Sequence, residues 1–378
     1  MFSSVKIRDG HDNFFTPIRL LFALMVLVGH AFVIVMGGSE NEPAIFFHYR
    51  PSYLAVNLFF IASGFLVTKS MLYREDLVEY GSARTLRIFP ALIVHVLFVM
   101  FAIGPFVTNV PLTQFFTDPQ FWTQPFRVLT FADTDMTMPG AFASNHEQIG
   151  SGALWTLRYE VLAYIGTAGA FSLGLLRRKW MLIMQFILFM AAWPIAHLTG
   201  VYDQLPATLQ AILRFGLAYG LGAAIYALRD RLTFHIGGVF ILGLIASLFG
   251  YPYLNYLENG TMTVAASLFE IMTTLWLGYI VFWMAYVKLP ALNGLKKLSD
   301  TSYGIYIYHW VVLQTAIFFI PGLEIWQLIA IALPVSVALA LASWHIVEKP
   351  MLRSKGKLSR YIKRKFGKSK DQIPAPAE

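Results

Sequence analysis

Apolar residues run along this chain in long blocks, separated by short basic or proline-containing stretches. Ten blocks stand out, at about 17–36, 53–70, 88–107, 154–175, 180–198, 208–228, 235–252, 262–287, 302–320 and 326–346. A helix rises about 1.5 Å per residue, so each block is long enough, or nearly so, to cross roughly 30 Å of hydrocarbon. The pattern predicts an all-α polytopic membrane protein with about ten transmembrane helices. Pro194 interrupts the fifth block, the seventh is short and Gly-rich, and the eighth is long enough to require tilt. No internal or inverted repeat is visible. Neither is a phosphate-binding glycine loop, a dinucleotide fingerprint or a zinc-ligand cluster.

Composition agrees with the pattern. The 378 residues are 57% hydrophobic and 13% charged, against about 25% charged in an ordinary soluble domain. There is no cysteine, which excludes disulfides, thiolate metal sites and a cysteine nucleophile. The first block begins near Pro17 and lacks a small-residue cleavage site, so it is expected to be a retained span. Placing the N-terminus inside puts 24 of the 29 lysines and arginines in cytoplasmic segments. The positive-inside rule then makes both termini cytoplasmic. Residues 1–350 form the ten-span core. Residues 351–378 form a basic cytoplasmic tail with interspersed apolar residues, suited to anionic headgroups of the lipid bilayer rather than to nucleic acid. The longest outer loop, 108–153, is of a length that is usually functional or disordered.

Polar residues inside the spans carry the candidate chemistry. Arg19 and His30 are eleven residues apart, or three turns plus about 20°, so they share one helix face with an axial gap of roughly 16 Å. Arg19 is either a snorkelling residue or a ligand-binding one. His30 is either a packing histidine or a functional one. Glu160 in "LWTLRYEVLAY" lies at a depth near that of His30. It could orient the imidazole and raise the basicity of its free nitrogen, or it could pair with Arg158. Trp155 fits an interfacial anchor. Arg84 and Arg87 are neighbours at i and i+3, level with Arg19 at the cytoplasmic mouth. They fit a phosphate site as well as they fit positive-inside composition. Tyr303, Tyr306 and His309 spread along one side of the ninth span, either as a polar path or as an aromatic belt with a structural histidine. Asn57, Ser63, His95, His197 and Glu270 are further intramembrane polar groups.

The chain resembles the acyltransferase-3 family of membrane acyltransferases. The matching pieces are "RLLFALMVLVGH", "NLFFIASGFLV", "RTLRIFP", "LWTLRYEVLAY", "SYGIYIYHW" and "SWHIVEKP", in family order along nearly the whole chain. The resemblance implies acyl transfer, usually of acetyl, from coenzyme A to carbohydrate or related acceptors across the membrane. It carries functional positions onto Arg19, His30, Arg84, Arg87 and Glu160, and also onto Tyr303 and His309. "NFFTPIR" departs from the Asp-containing "DGLR"-like stretch of many members, and Arg158 stands where many have "WSLSVE". No fused extracytoplasmic hydrolase-like domain follows the tenth block. The expectation is an inner-membrane O-acyltransferase. Arg19, Arg84, Arg87, Tyr303 and His309 would face a cytoplasmic acyl-CoA donor. His30 and Glu160 would be catalytic, with His30 either a general base or a transient acyl carrier. The acceptor would be a hydroxyl of a cell-envelope or exported glycan. No tightly bound cofactor or metal is expected. Polysaccharide-assembly proteins are conceivable partners. The alternatives are a transporter of a glycan or small molecule and a scaffold in which His30 is dispensable.

Overall fold

The computed structural model describes residues 4–8 and 12–366. Each of the ten apolar blocks is a helix. In chain order α1 is Phe15–Met36, α2 Pro51–Arg74 and α3 Leu77–Leu97. A π-helical turn, Phe98–Ile103, carries α3 into the short α4, Gly104–Val107. The outer segment holds α5, Leu112–Thr117, and α6, Pro119–Leu129. Next come α7, Trp155–Ser172, α8, Lys179–Leu198, and the short α9, Val201–Gln204. They are followed by α10, Ala207–Leu228, α11, Ile236–Asn259, α12, Val264–Tyr286, α13, Ser302–Phe319, and α14, Ile325–Ser343. A second π-helical turn, Trp344–Glu348, leads to α15, Lys349–Arg353, and α16, Lys355–Phe366. Residues 367–378 of the basic tail lie outside the described residues.

Among the described residues eight helices are long and apolar enough to cross a membrane. The other two expected spans, α7 and α13, have 18 residues each. They fall short because they carry the polar residues of the site. Helix α13 tolerates this composition because every side chain from Ser302 to Gln314 is buried in protein rather than facing lipid.

The ties between segments agree with the charge-based topology. The N-terminal strand β1, Val5–Lys6, pairs antiparallel with β2, Thr233–Phe234, beside the basic turn after α10. Lys296 bridges to Asp12, Lys179 to Asp230 and Lys363 to Asp76, at 2.5, 2.9 and 2.6 Å. All of these segments were assigned to the cytoplasmic face. Among the outer segments, Gly38 N donates to Glu147 (3.1 Å) and Asn145 to the Gln314 side chain (2.7 Å).

The centre is built by close helix crossings. A Cβ on Gly64 of α2 would stand 2.0 Å from the Tyr219 carbonyl of α10, and one on Gly222 would stand 2.1 Å from the Ile61 carbonyl. Only glycine lets these backbones approach so nearly, the usual device where lipid supplies no hydrophobic drive between helices. The outer segment is folded rather than loose. Phe115, Phe121, Met136 and Phe142 are fully buried. Met136 and Phe142 also hold a left-handed backbone, with φ of 52° and 55°, a conformation that persists only where packing fixes it.

Candidate active site

Two chambers lie along the axis of the bundle. The inner one encloses about 420 Å³. Its wall includes Arg19 from α1, Arg84 and Arg87 from α3, Glu160 and Tyr164 from α7, and Asp300 and Tyr303 at the start of α13. The outer chamber encloses about 310 Å³ and is lined by His30, Glu42, Tyr53, Trp155, Arg214 and Trp310, among others. Val56, Thr156 and Tyr306 belong to both walls. Thr156 Oγ1 and Tyr306 OH are hydrogen-bonded at 2.5 Å, and Tyr306 OH also donates to the Ala153 carbonyl at 2.8 Å. This pair partitions the chambers.

In the inner chamber Asp300 accepts from Arg19 (2.7 Å) and Arg87 (2.8 Å) through the same oxygen. Burial raises the Asp300 pKa, but Arg19, Arg87 and Ser302 outweigh it and hold the carboxyl down at about 2. Arg87 also reaches the buried Glu348 at 3.3 Å. Its guanidinium lies over the rings of Tyr303 and Trp344. The Tyr303 hydroxyl donates to the Ile88 carbonyl at 3.0 Å. Arg84 differs from its neighbours. It makes no ion pair among the described residues, lies over the rings of Tyr80 and Tyr164, and has a buried Nε without an acceptor.

His30 does not meet Glu160. Its Nδ1 lies 2.8 Å from His309 Nε2, and its ring packs edge-on against Trp310. His309 Nδ1 in turn faces the Ile305 carbonyl at 3.1 Å. A carbonyl only accepts, so His309 Nδ1 carries the proton and its Nε2 is an acceptor. His30 must then donate from Nδ1, which leaves its Nε2 with a free lone pair. The dyad fixes one tautomer of His30.

Three expected placements change. His309 does not line the inner chamber. It lies nine residues above Asp300, about 13 Å up the helix, and is fully buried behind His30. Glu160 opens on the inner chamber and accepts from the Tyr164 hydroxyl instead of orienting His30. Arg158 turns away to the carbonyls of Phe131 and Ala132. Trp155, read as an interfacial anchor, lines the outer chamber. Arg19, Arg84, Arg87 and Tyr303 do converge as the sequence suggested. Asp300, Glu348, Glu42 and Arg214 were missed. Glu270, for which no partner was apparent, accepts from the hydroxyls of Tyr49 and Tyr53 and from Asn57 Nδ2.

Comparison with known proteins bears on what these chambers do. Over 369 residues the chain is 27% identical to nodulation protein 10 of Rhizobium leguminosarum bv. viciae, covering 91% of this chain and 94% of the other. Over 351 residues it is 27% identical to a protein of Shigella phage Sf6 described as an O-acetyl transferase, covering 92% and 98%. No solved structure matches. The acyltransferase domain family matches residues 13–346, a stretch that includes the outer chamber, most of the inner chamber's wall, the histidine dyad and the arginine mouth, and the chain therefore belongs to the acyltransferase-3 family of multi-pass membrane acyltransferases.

Proposed function

We propose that the protein takes an acyl group, most simply acetyl, from acyl-CoA on the cytoplasmic side of the inner membrane and transfers it to a glycan hydroxyl in the outer chamber. The observation that carries this reading is the pair of chambers meeting at one partition, with arginines on one side and a tautomer-fixed histidine on the other. Guanidinium groups are the usual partners of phosphate. Arg84, which has no counter-ion among the described residues, is the first candidate to hold the nucleotide end of the donor, with Arg19 and Arg87 beside it. The pantetheine arm would extend outward past Thr156 and Tyr306 toward His30.

The acceptor hydroxyl would give its proton to His30 Nε2 as its oxygen attacks the thioester carbonyl. A C–O bond forms, the C–S bond breaks, and the proton passes to the departing thiolate to give free coenzyme A. As His30 becomes positive, its Nδ1–H bond to His309 strengthens, so His309 both orients and stabilises the base. The same free Nε2 would serve an acyl-histidine route. That route predicts an acyl-enzyme that accumulates when acceptor is withheld. Family membership speaks for an acyltransferase over the transporter reading.

The test uses sealed vesicles of each orientation loaded with glycan acceptor and given labelled acetyl-CoA. Inverted vesicles, which expose the cytoplasmic face, should label the glycan inside. Labelling only when acetyl-CoA contacts the opposite face would end this reading.

A further inference from the structure

The outer chamber holds two arginines that no carboxylate neutralises among the described residues. Arg214, on α10, donates from Nε to Asn57 Oδ1 and from Nη2 to the Tyr53 carbonyl, both at 2.9 Å. Both acceptors are neutral. Its guanidinium lies over the Tyr53 ring, 3.3 Å from the centroid. Nη1 has no acceptor among the described residues. Arg50 stands in the same wall, and the one hydrogen bond of its side chain among the described residues is a long contact of 3.4 Å to the Glu40 carbonyl. Glu42 is the one carboxylate of this wall, and its oxygens are taken by Ser52 N, at 2.6 Å, and by Ser52 Oγ. The lining therefore carries two positive groups against one occupied negative one.

The buried Glu270 explains how Arg214 is held without being quenched. Asn57 stands between them. Its Nδ2 donates to Glu270 at 3.1 Å, and its Oδ1 faces Arg214. The amide is thus locked in one orientation and passes rigidity, not a contact ion, to the guanidinium. A cation half withdrawn from water with an unfilled hydrogen-bonding edge is costly alone. It gains most from a ligand that brings the missing anion.

We infer that the outer chamber selects a saccharide bearing an anionic oxygen group, carboxylate or phosphate, which Arg214 binds through its open Nη1 edge. Trp155, 41% exposed, and the buried Trp310 line the same chamber and supply apolar aromatic surface beside the arginine. The inference rests on the acyl-transfer reading only for the role of the hydroxyl placed at His30. The anion preference stands on the chamber itself. Arg214 is in these terms a specificity-determining residue.

The experiment is equilibrium binding to the full chain in lipid nanodiscs. Three labelled probes serve: a uronate-containing oligosaccharide, its carboxyl-reduced neutral counterpart, and the matching glycosyl phosphate. The wild-type protein should bind at least one anionic probe about tenfold or more tightly than the neutral one. Arg214→Gln should erase that preference and change neutral binding far less. Arg214→Lys should restore part of it, since the charge returns without the planar guanidinium over Tyr53. Which anionic probe gains separates carboxylate from phosphate. Equal binding of all three by the wild type would overturn the inference. So would an equal loss for every probe in Arg214→Gln, which would reduce Arg214 to a strut of the Tyr53–Asn57–Glu270 network. Transfer from acetyl-CoA is measured in the same preparation. Its absence with the anion preference intact would count against the donor reading and leave this one standing.

Discussion

The inner and outer chambers use the same residue type in opposite ways. Inside, Arg19 and Arg87 share one oxygen of Asp300, and Arg87 also holds Glu348. Outside, Arg214 is held by an amide, a carbonyl and an aromatic face. Arg19 and Arg87 are neutralised before any ligand arrives, so an anion approaching either must compete with a resident carboxylate, and Arg84 alone of the three makes no ion pair among the described residues. The outer arginine is positioned but not neutralised. Its ligand finds the site ready. On the proposed function, compensated charge suits a donor that would leave again as coenzyme A after each turnover. Uncompensated charge suits selection among acceptors.

The largest effect should come from the dyad between the chambers. General-base catalysis is worth about 10²–10⁴-fold, so His30→Ala and His30→Gln should lose most turnover while both chambers keep their ligands. His309→Gln should lose less, because an amide oxygen can still accept from His30 Nδ1. Single-turnover transfer, read beside binding of donor and acceptor, checks this. Near wild-type transfer by His30→Ala would make the dyad a packing contact and dissolve the division of labour between the chambers.

Within the inner chamber the arginines should separate. Arg84 has no ion pair among the described residues, so Arg84→Ala should weaken acyl-CoA binding about ten- to hundredfold with little change in stability. Arg87→Ala would strand Glu348, whose side chain is 1% exposed. Removing one partner of a buried pair costs about 3–5 kcal/mol, so this variant should melt earlier as well as bind less. Thermal unfolding measured beside donor affinity reads both. Equal melting losses for the two variants would mean that the ion pairs do not distinguish the arginines.

The helices were legible because hydrocarbon thickness dictates their length and every apolar block had to meet it. The arginine mouth was legible for a similar reason: residues at one depth on successive spans end at one face. What the sequence lacks is azimuth. Glu160 and His30 were matched by depth alone, and the packing of α7 turns Glu160 to the inner chamber. Depth could have nominated His309. It stands nine residues above Asp300, as His30 stands eleven above Arg19, so two histidines of neighbouring spans share a level. Asp300 and Glu348 were passed over because they sit at helix ends, where acidic residues read as punctuation. Glu348 faces inward from a π-helical turn, a distortion that periodicity does not reveal. Arg214 was counted in the charge balance and given no role, since its partners come from α2, more than 150 residues away.

The smallest effect, and the sharpest probe of compensated against open charge, concerns Asp300. Its pKa, about 2, lies below the ordinary aspartate value of 3.8. A depressed carboxylate adds stability that is fully present above the ordinary value and is lost as pH falls through the folded one. The Arg19–Asp300–Arg87 bridge therefore stays charged across pH 5–8, so activity lost on mild acidification would not come from it. Asp300→Asn removes the shared anion without removing bulk. Arg19 then loses its counter-ion and Arg87 keeps only Glu348, so the variant should melt at lower temperature. Its inner chamber should behave more like the outer one, with coenzyme A binding tightened about threefold to tenfold, given charge-assisted contacts of about 1.5–3 kcal/mol. The difference from wild type should be flat between pH 5 and 8 and should shrink only as the pH falls toward about 2, where wild-type Asp300 itself becomes neutral. Titration of coenzyme A binding against pH for the two proteins tests this. Weaker binding by Asp300→Asn at neutral pH would mean that Asp300 aligns Arg19 and Arg87 for the phosphate rather than occupying its place, and the contrast between the chambers would then lie in geometry and not in charge.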